Sequence, residues 1–579
     1  MIKKLSGSIG KYKVPAILTM LLMVGEVVIE CYIPFLTADL VNRIKAGTAI
    51  ENVISTGSIL ILLAIFSLSF GGVAAFTAAK ASTGFAKNLR RDVFNKIQTY
   101  SFENIDKFSS ASLVTRLTTD VSNVQMAFMM IIRIAIRSPL MLVFAIIMAY
   151  RMGGALASTF VVVVPLLAFG LFLIGKFAMP AFRSVFKKYD KLNESIEENV
   201  RAMRVVKGFS REEYEKEKFG LAADNICKDF TKAERIVAFN SPLMQLCLYF
   251  NMIFILMVGS KLTITSKGTL VDVGQISAMM TYGMQILMSL MMLSMIYVML
   301  TMSLESMKRI SEVLSEESSL TNPKEPVTVL KDGSVVFENV SLKYSKNAKE
   351  DALSQINLSI QPGMTVGIIG GTGSGKSTLV QLIPRLYDAT QGCVKVGGID
   401  VREYDLRVLR DQVAMVLQKN LLFAGTIKDN IRWGNEHATE EEIIEACKLA
   451  QADGFINSFP EGYDTFIEQG GTNVSGGQKQ RLCIARALIK KPKILILDDS
   501  TSAVDTKTDS LIREGFLQYI PETTKFIIAQ RIASVKDSDM IIVMDGGKIH
   551  MAGTHEELLK NSTIYQEVYE QQTGGREDA

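Results

Sequence analysis

Histidine is nearly absent from this sequence, with three in 579 residues, and tryptophan occurs once. Chemistry that relies on an imidazole therefore has three addresses at most, His437, His550 and His555. The six cysteines, Cys31, Cys227, Cys247, Cys393, Cys447 and Cys483, never fall into a C-x-x-C pair. That excludes a disulfide framework and a zinc-spacing cluster and leaves reduced, structural thiols. Charge is scarce at 21% and nearly balanced, 63 basic against 59 acidic residues, net +4. Nothing in that balance suggests a nucleic-acid partner. What is abundant is apolar: 48% hydrophobic residues, 29 Met and 29 Phe, with a mean hydropathy of +0.23. The combination points to a membrane protein with a soluble portion, and the length allows about three or four domains.

Apolar runs of bilayer-spanning length, roughly 20 residues each, fill the first half of the chain. Six are predicted, near 14–39, 53–79, 127–150, 155–178, 236–262 and 273–300. The first follows MIKK but is too long for a signal peptide and lacks a small-residue cleavage site, so it reads as a permanent span. Lys3, Lys4, Lys11 and Lys13 precede it, and segments 80–125 and 179–235 are rich in Lys and Arg. The positive-inside rule then places both segments and both termini in the cytoplasm. Stretches such as KNLRRDVFNKIQTY contain no Pro and extend the spans as helices. Hydrophobic spots at Leu113 to Leu117 and Val205 to Phe209 interrupt the polar surface and are expected to dock on something.

Ionisable residues inside spans are costly and hence functional candidates. Glu26 and Glu30 lie four apart in the first span, Arg133 and Arg137 four apart in the third. Two readings stand: the four pair with one another, or the carboxylates attract a cationic substrate. The sixth span brings ten methionines between Met279 and Met307, a soft surface suited to core packing or to an adaptable cavity.

After the charged linker SEESSLTNPKEPVTVLKDG the rhythm changes to short β-branched strands, helices and Gly turns, an α/β domain with a largely parallel sheet. MTVGIIG reads as a strand, GGTGSGKST as a glycine-rich turn and LVQLIPRLY as a helix. Gly370, Gly375, Lys376 and Ser377 fit G-x-x-x-x-G-K-[ST]. In that loop Thr372, Gly373, Ser374 and Thr378 join them around the phosphates, Lys376 neutralises charge and Ser377 can ligate Mg²⁺. KILILDDS is a buried strand ending in Asp498, the expected partner for magnesium. Between them NVSGGQKQRLCIARAL is a turn leading into a helix.

In this order the motifs resemble the ATP-binding-cassette exporter family, and the likeness covers nearly the whole chain. It implies a membrane α-helical six-span bundle fused to a C-terminal α/β P-loop nucleotide-binding domain, with domains at 1–312 and 333–579 joined by a linker, 313–332. It implies ATP and Mg²⁺ as cofactors, a lipid bilayer, a hydrophobic small-molecule substrate and a second half-transporter as partners, and no nucleic acid. By resemblance Tyr344 stacks on adenine, Gln418 senses magnesium and attacking water, and Ser475, Gly476, Gly477 and Gln478 contact the opposite nucleotide. Asp505 in TSAVD belongs to the loop crossing the dimer interface, and the two hydrophobic spots lie where coupling helices transmit motion.

Three departures from the family stand out, the third of them a pair of residues. Asp499 stands where a catalytic glutamate is usual, one methylene short of the roughly 3 Å approach a general base needs. Gln530 replaces the switch histidine; it cannot become a cation and holds the γ-phosphate differently. Glu468 and Gln469 stand where Gly-Glu is common. The economical expectation is the degenerate-site subunit of a heterodimeric multidrug exporter: an ATPase-type chain whose own site hydrolyses slowly while its SGGQ completes the partner's. A homodimeric exporter with slow ATPase and an ATP-gated, channel-like subunit are the alternatives.

Overall fold

The computed structural model describes residues 2–344, 350–499 and 505–573. Two compact units emerge, Met1–Gln98 with Ser109–Glu316, and Thr99–Phe108 with Glu317–Ala579.

Among the described residues of the first unit, six helices are long and apolar enough to cross a membrane: Gly10–Lys45, Ile50–Gln98, Ser110–Gly153, Ser158–Phe182, Glu212–Thr265 and Val273–Ser315. Five of them contain a predicted run whole, the fourth run, 155–178, begins three residues before its helix at Ser158, and several continue well beyond bilayer length. Pro34, Pro139, Pro165 and Pro180 sit inside these helices without ending them, as neighbouring helices in a bundle allow. Small residues let helices approach closely. A Cβ added to Gly274 would lie 2.2 Å from the carbonyl oxygen of Ala38, and the Gly274 N–H donates to Asn42 Oδ1 at 3.0 Å.

Charges in this unit find one another. Arg137 donates to both carboxylate oxygens of Glu30 at 2.9 and 2.7 Å and lies 3.6 Å from Glu26. The pairing reading of the intramembrane charges holds for these three, whereas Arg133 makes no hydrogen bond or ion pair among the described residues. Towards the far ends of the third and sixth spans, the fully buried Asp120 accepts from Arg309 Nε and Ser306 Oγ, both at 2.8 Å, and pairs with the second arm of the Arg309 guanidinium. It closes a π-type turn, Arg116–Asp120, in which Arg116 donates to the Arg309 carbonyl at 3.0 Å.

The second unit is built on a six-stranded sheet in the order Lys548–Gly553, Met540–Asp545, Thr365–Gly370, Thr524–Ile528, Ile494–Asp498, Val413–Val416, parallel except for its first strand. Its strands are apolar in succession because both faces are covered. Ile494 and Ile496 pack into one core with Phe526, Ile528, Ile542 and Met544, while Leu495 and Leu497 pack into the other with Ile527, Ile541 and Val543. A four-stranded antiparallel sheet, Leu353–Ile360, Val335–Leu342, Gln391–Val396 and Ile399–Asp400, completes the first core. Helices between Ile427 and Leu488, including Gly476–Leu488, build onto the second.

Candidate functional site

Three neighbouring parallel strands end side by side, Thr365–Gly370, Thr524–Ile528 and Ile494–Asp498, with Ile528 in register with both Ile368 and Asp498. Crevices at the carboxyl ends of such strands are where ligands bind in α/β sheets. Register therefore gathers three segments distant in sequence: the glycine-rich loop, Gln530, and the Asp498–Asp499 pair.

The loop has the shape its glycines permit. Gly375 has φ +95, a left-handed conformation that a side chain would strain. At Gly370 an added Cβ would lie 2.2 Å from the Met544 carbonyl oxygen. Behind the loop starts the helix Lys376–Gln381. Lys376 Nζ donates to the carbonyl oxygens of Gly370 at 2.8 Å and Gly371 at 2.7 Å, and lies 3.5 Å from Ser374 Oγ. Burial holds its ammonium below the usual lysine pKa, with Asp498 and Asp499 pulling the other way. Ser377 Oγ donates to Asp498 Oδ1 at 2.9 Å. Burial raises the Asp498 carboxyl above the ordinary range, against the lowering effect of that Ser377 bond. A hydroxyl and a carboxylate are the hard oxygen donors that fit Mg²⁺, which takes one or two protein oxygens alongside phosphates. Among the described residues no group of three or more His, Cys, Asp or Glu forms a fuller metal cage.

Tyr344, half exposed, donates to Thr378 Oγ1 at 2.9 Å and Gln381 Oε1 at 3.4 Å, so it is fastened to the helix behind the loop. Its ring meets Tyr387 edge-on at 5.0 Å. Tyr387 in turn donates to Asp106 at 2.8 Å and lies 6.2 Å from Phe102. The short helix Phe102–Phe108, between the second and third spans in sequence, thus packs on the nucleotide-domain side. Docking was expected at Leu113 to Leu117 instead. Leu113 is buried within the membrane unit and Arg116 is tied to Arg309, while Val114 between them is exposed. The break at Ser109, with φ +55 and its side chain capping Ser112, separates the two helices; Ser109 and Ser110 were the available signal. In the second spot, Val205 and Phe209 on and beside the helix Met203–Gly208 are exposed.

Two of the departures, Asp499 and Gln530, prove to be partners. Gln530 Nε2 donates to Asp499 Oδ2 at 2.8 Å, and Asp499 has a left-handed backbone, φ +48, whose N–H donates to the Ile528 carbonyl at 3.1 Å. Gln418 is exposed after the strand Val413–Val416 and makes no hydrogen bond among the described residues. Ser475 caps Gly476–Leu488 through a reciprocal box with Gln478, 3.3 and 2.9 Å, and no hydrogen bond joins this turn to 370–378 among the described residues. Glu468 is engaged in its own loop, accepting from Thr472 Oγ1 at 2.5 Å, and Gln469 opens a turn through Gly470. Asp505 caps Thr506–Tyr519, and hydrogen bonds from Thr508 hold its carboxyl below the usual range; the preceding Thr501–Val504 of TSAVD lie outside the described residues. His437 and His550 are exposed, while His555 Nδ1 lies 2.7 Å from the Tyr565 hydroxyl.

Comparison with known proteins agrees with this geometry. Residues 16–314 match the ABC transporter transmembrane region family and residues 353–502 the ABC transporter family. The chain is 37% identical over 565 residues to the uncharacterized ABC transporter ATP-binding protein YfiB of Bacillus subtilis, covering 97% of each. To the ATP-dependent lipid A-core flippase of Desulfotalea psychrophila it is 31% identical over 576 residues, 99% of each chain. Its fold matches that of an ATP-bound bacterial Atm1-family ABC exporter with a TM-score of 0.83 over 98% of both chains, at 23% identity. A multi-pass region of six spans and an ATP-binding domain carried on one polypeptide make this chain an ABC exporter subunit, a member of the ABC transporter family.

Proposed function

We propose that the chain is one half of a heterodimeric exporter that moves hydrophobic or amphiphilic compounds, drugs or lipids, out of the cytoplasm, and that its own ATP site hydrolyses slowly. The observation that carries the reading is the Gln530–Asp499 hydrogen bond. A switch side chain that remains neutral is bonded to a base that is one methylene short, so neither group is held as an efficient proton acceptor for water. A lipid substrate class draws support from the name of the lipid A-core relative. The Lys- and Arg-rich segments 80–125 and 179–235 support a cytoplasmic nucleotide domain and cytoplasmic termini. Domains 1–312 and 333–579 joined at 313–332 are the working division.

In this reading Gly370, Thr372, Gly373, Ser374, Gly375, Lys376 and Thr378 hold the phosphates and Tyr344 the adenine ring. Ser377, Asp498 and Gln418 would hold Mg²⁺, which when bound neutralises phosphate charge. Ser475, Gly476, Gly477, Gln478 and Asp505 serve the partner's nucleotide, since two sites shared between two chains need one signature from each. The exposed Val205 and Phe209 are the surface left for motion to be passed to a partner.

Asp499→Glu combined with Gln530→His should raise ATP turnover of the assembled pair by about 10²-fold, the usual scale of a restored general base. The chain purified alone should turn over little ATP. Unchanged turnover in the double variant would falsify the slow-site reading, and vigorous hydrolysis by the chain alone would favour a homodimer.

A further inference from the structure

The C-terminal helix Thr563–Thr573 is rooted in the nucleotide domain by Tyr565, which is fully buried and bonded to His555. Its last turn carries Gln572, an exposed residue whose side chain buries no core surface. The carboxamide nevertheless makes two bonds to one loop. Gln572 Nε2 donates to the Gln530 carbonyl oxygen at 2.8 Å, and Gln572 Oε1 accepts from the Ile532 N–H at 2.8 Å. A main-chain carbonyl only accepts and a main-chain N–H only donates, so these partners admit one orientation of the amide. The loop is thereby fixed at the Gln530 carbonyl and again two residues further on, and the Gln530 side chain reaches Asp499 Oδ2 at 2.8 Å. A continuous chain of hydrogen bonds runs from the last helical turn, through the main chain at 530–532, to the two altered groups of the ATP site.

We propose that Gln572 is a positioning residue for the γ-phosphate side of this site: it sets the place of Gln530, and through it the discrimination between ATP and ADP. The inference rests on the reading of Gln530 as the γ-phosphate contact. Gln572 touches neither nucleotide nor reacting atoms in this scheme, and acts through the loop alone. Its effect should therefore appear in the affinity for ATP and be missing from that for ADP, which lacks the phosphate the loop addresses.

The test uses the full-length chain in nanodiscs, titrated with ATP and with ADP in the presence of Mg²⁺, for the unmodified protein, Gln530→Ala, Gln572→Ala and Gln572→Glu. Gln572→Ala should weaken ATP about threefold to tenfold, the scale of one hydrogen bond's net contribution, with ADP affinity and thermal midpoint unchanged. Gln572→Glu keeps an acceptor for the Ile532 N–H but turns a carboxylate on the Gln530 carbonyl, so it should lose the preference as fully. Equal weakening of ATP and ADP, or no change in either, overturns the proposal, as does a Glu variant that retains the unmodified ratio. If Gln530→Ala leaves the ATP-to-ADP ratio unmoved, the γ-phosphate reading of Gln530 falls and takes this one with it. If Gln530→Ala moves the ratio and the Gln572 variants do not, the role of Gln572 alone is refuted.

Discussion

Arg309 in the membrane unit and Lys376 in the nucleotide domain are both partly buried cations, and they are held in opposite ways. Arg309 faces a fully buried carboxylate, Asp120, with Ser306 completing the shell. Lys376 rests on two carbonyl oxygens of its own loop and forms no ion pair among the described residues. A charge with its counter-ion inside the fold is spent on structure. One propped on neutral dipoles beside a glycine-walled loop retains most of its field for an anion. The intramembrane group sides with Arg309, since Arg137 is taken up by Glu30 and Glu26.

The contrast can be broken in three ways. Arg309→Ala leaves the Asp120 carboxylate buried with its main partner gone, and should destabilise the membrane unit by about 3–5 kcal/mol. Thermal unfolding in detergent measures this, while ATP affinity of the folded fraction should stay the same. A normal melting temperature would show that the pair is not structural after all. Lys376→Ala should do the reverse, weakening ATP about 10- to 100-fold, as loss of a charge-assisted contact predicts, with little change in melting. A variant that melts early but binds ATP normally would put Lys376 in the same class as Arg309. The smallest effect is in pH. Because burial raises the Asp498 carboxyl, its protonated form gains ground at a higher pH than for an ordinary aspartate. The protonated acid cannot hold a cation, so Mg²⁺-dependent ATP affinity should fall on acidification, starting above the usual aspartate range. Asp498→Asn should flatten that part of the titration; a profile that persists in the variant assigns the pH dependence elsewhere.

Much of this molecule was legible because its signals are local. A span is a run of apolar residues, and all six runs lie within observed helices to within three residues. The glycine-rich turn is nine consecutive residues, GGTGSGKST, and the strand ending in Asp498 is read from four apolar neighbours, Ile494 to Leu497. Side-chain partners distant in sequence were not legible. Asp120 and Arg309 lie in different spans, and their pairing depends on how the third and sixth helices pack. Nor were the contacts of Phe102 and Asp106 with Tyr387, far down the chain, legible, because the hydrophobic signal lies a few residues later at Leu113 and Leu117.

By itself the sequence determined the spans, the order of the motifs in the second half, and that Asp499 and Gln530 depart from the family pattern. Each of these is a property of residue type and spacing along one stretch. Only the tertiary structure decided that the two departures bond to each other, that Arg137 and not Arg133 takes the carboxylates, and that Gln572 fastens the Gln530 loop. Those are facts of register and packing. Parallel strands set the ends of distant segments side by side, and a hydrogen bond a few tenths of an ångström from ideal is lost, so no pattern along the chain records which donor meets which acceptor.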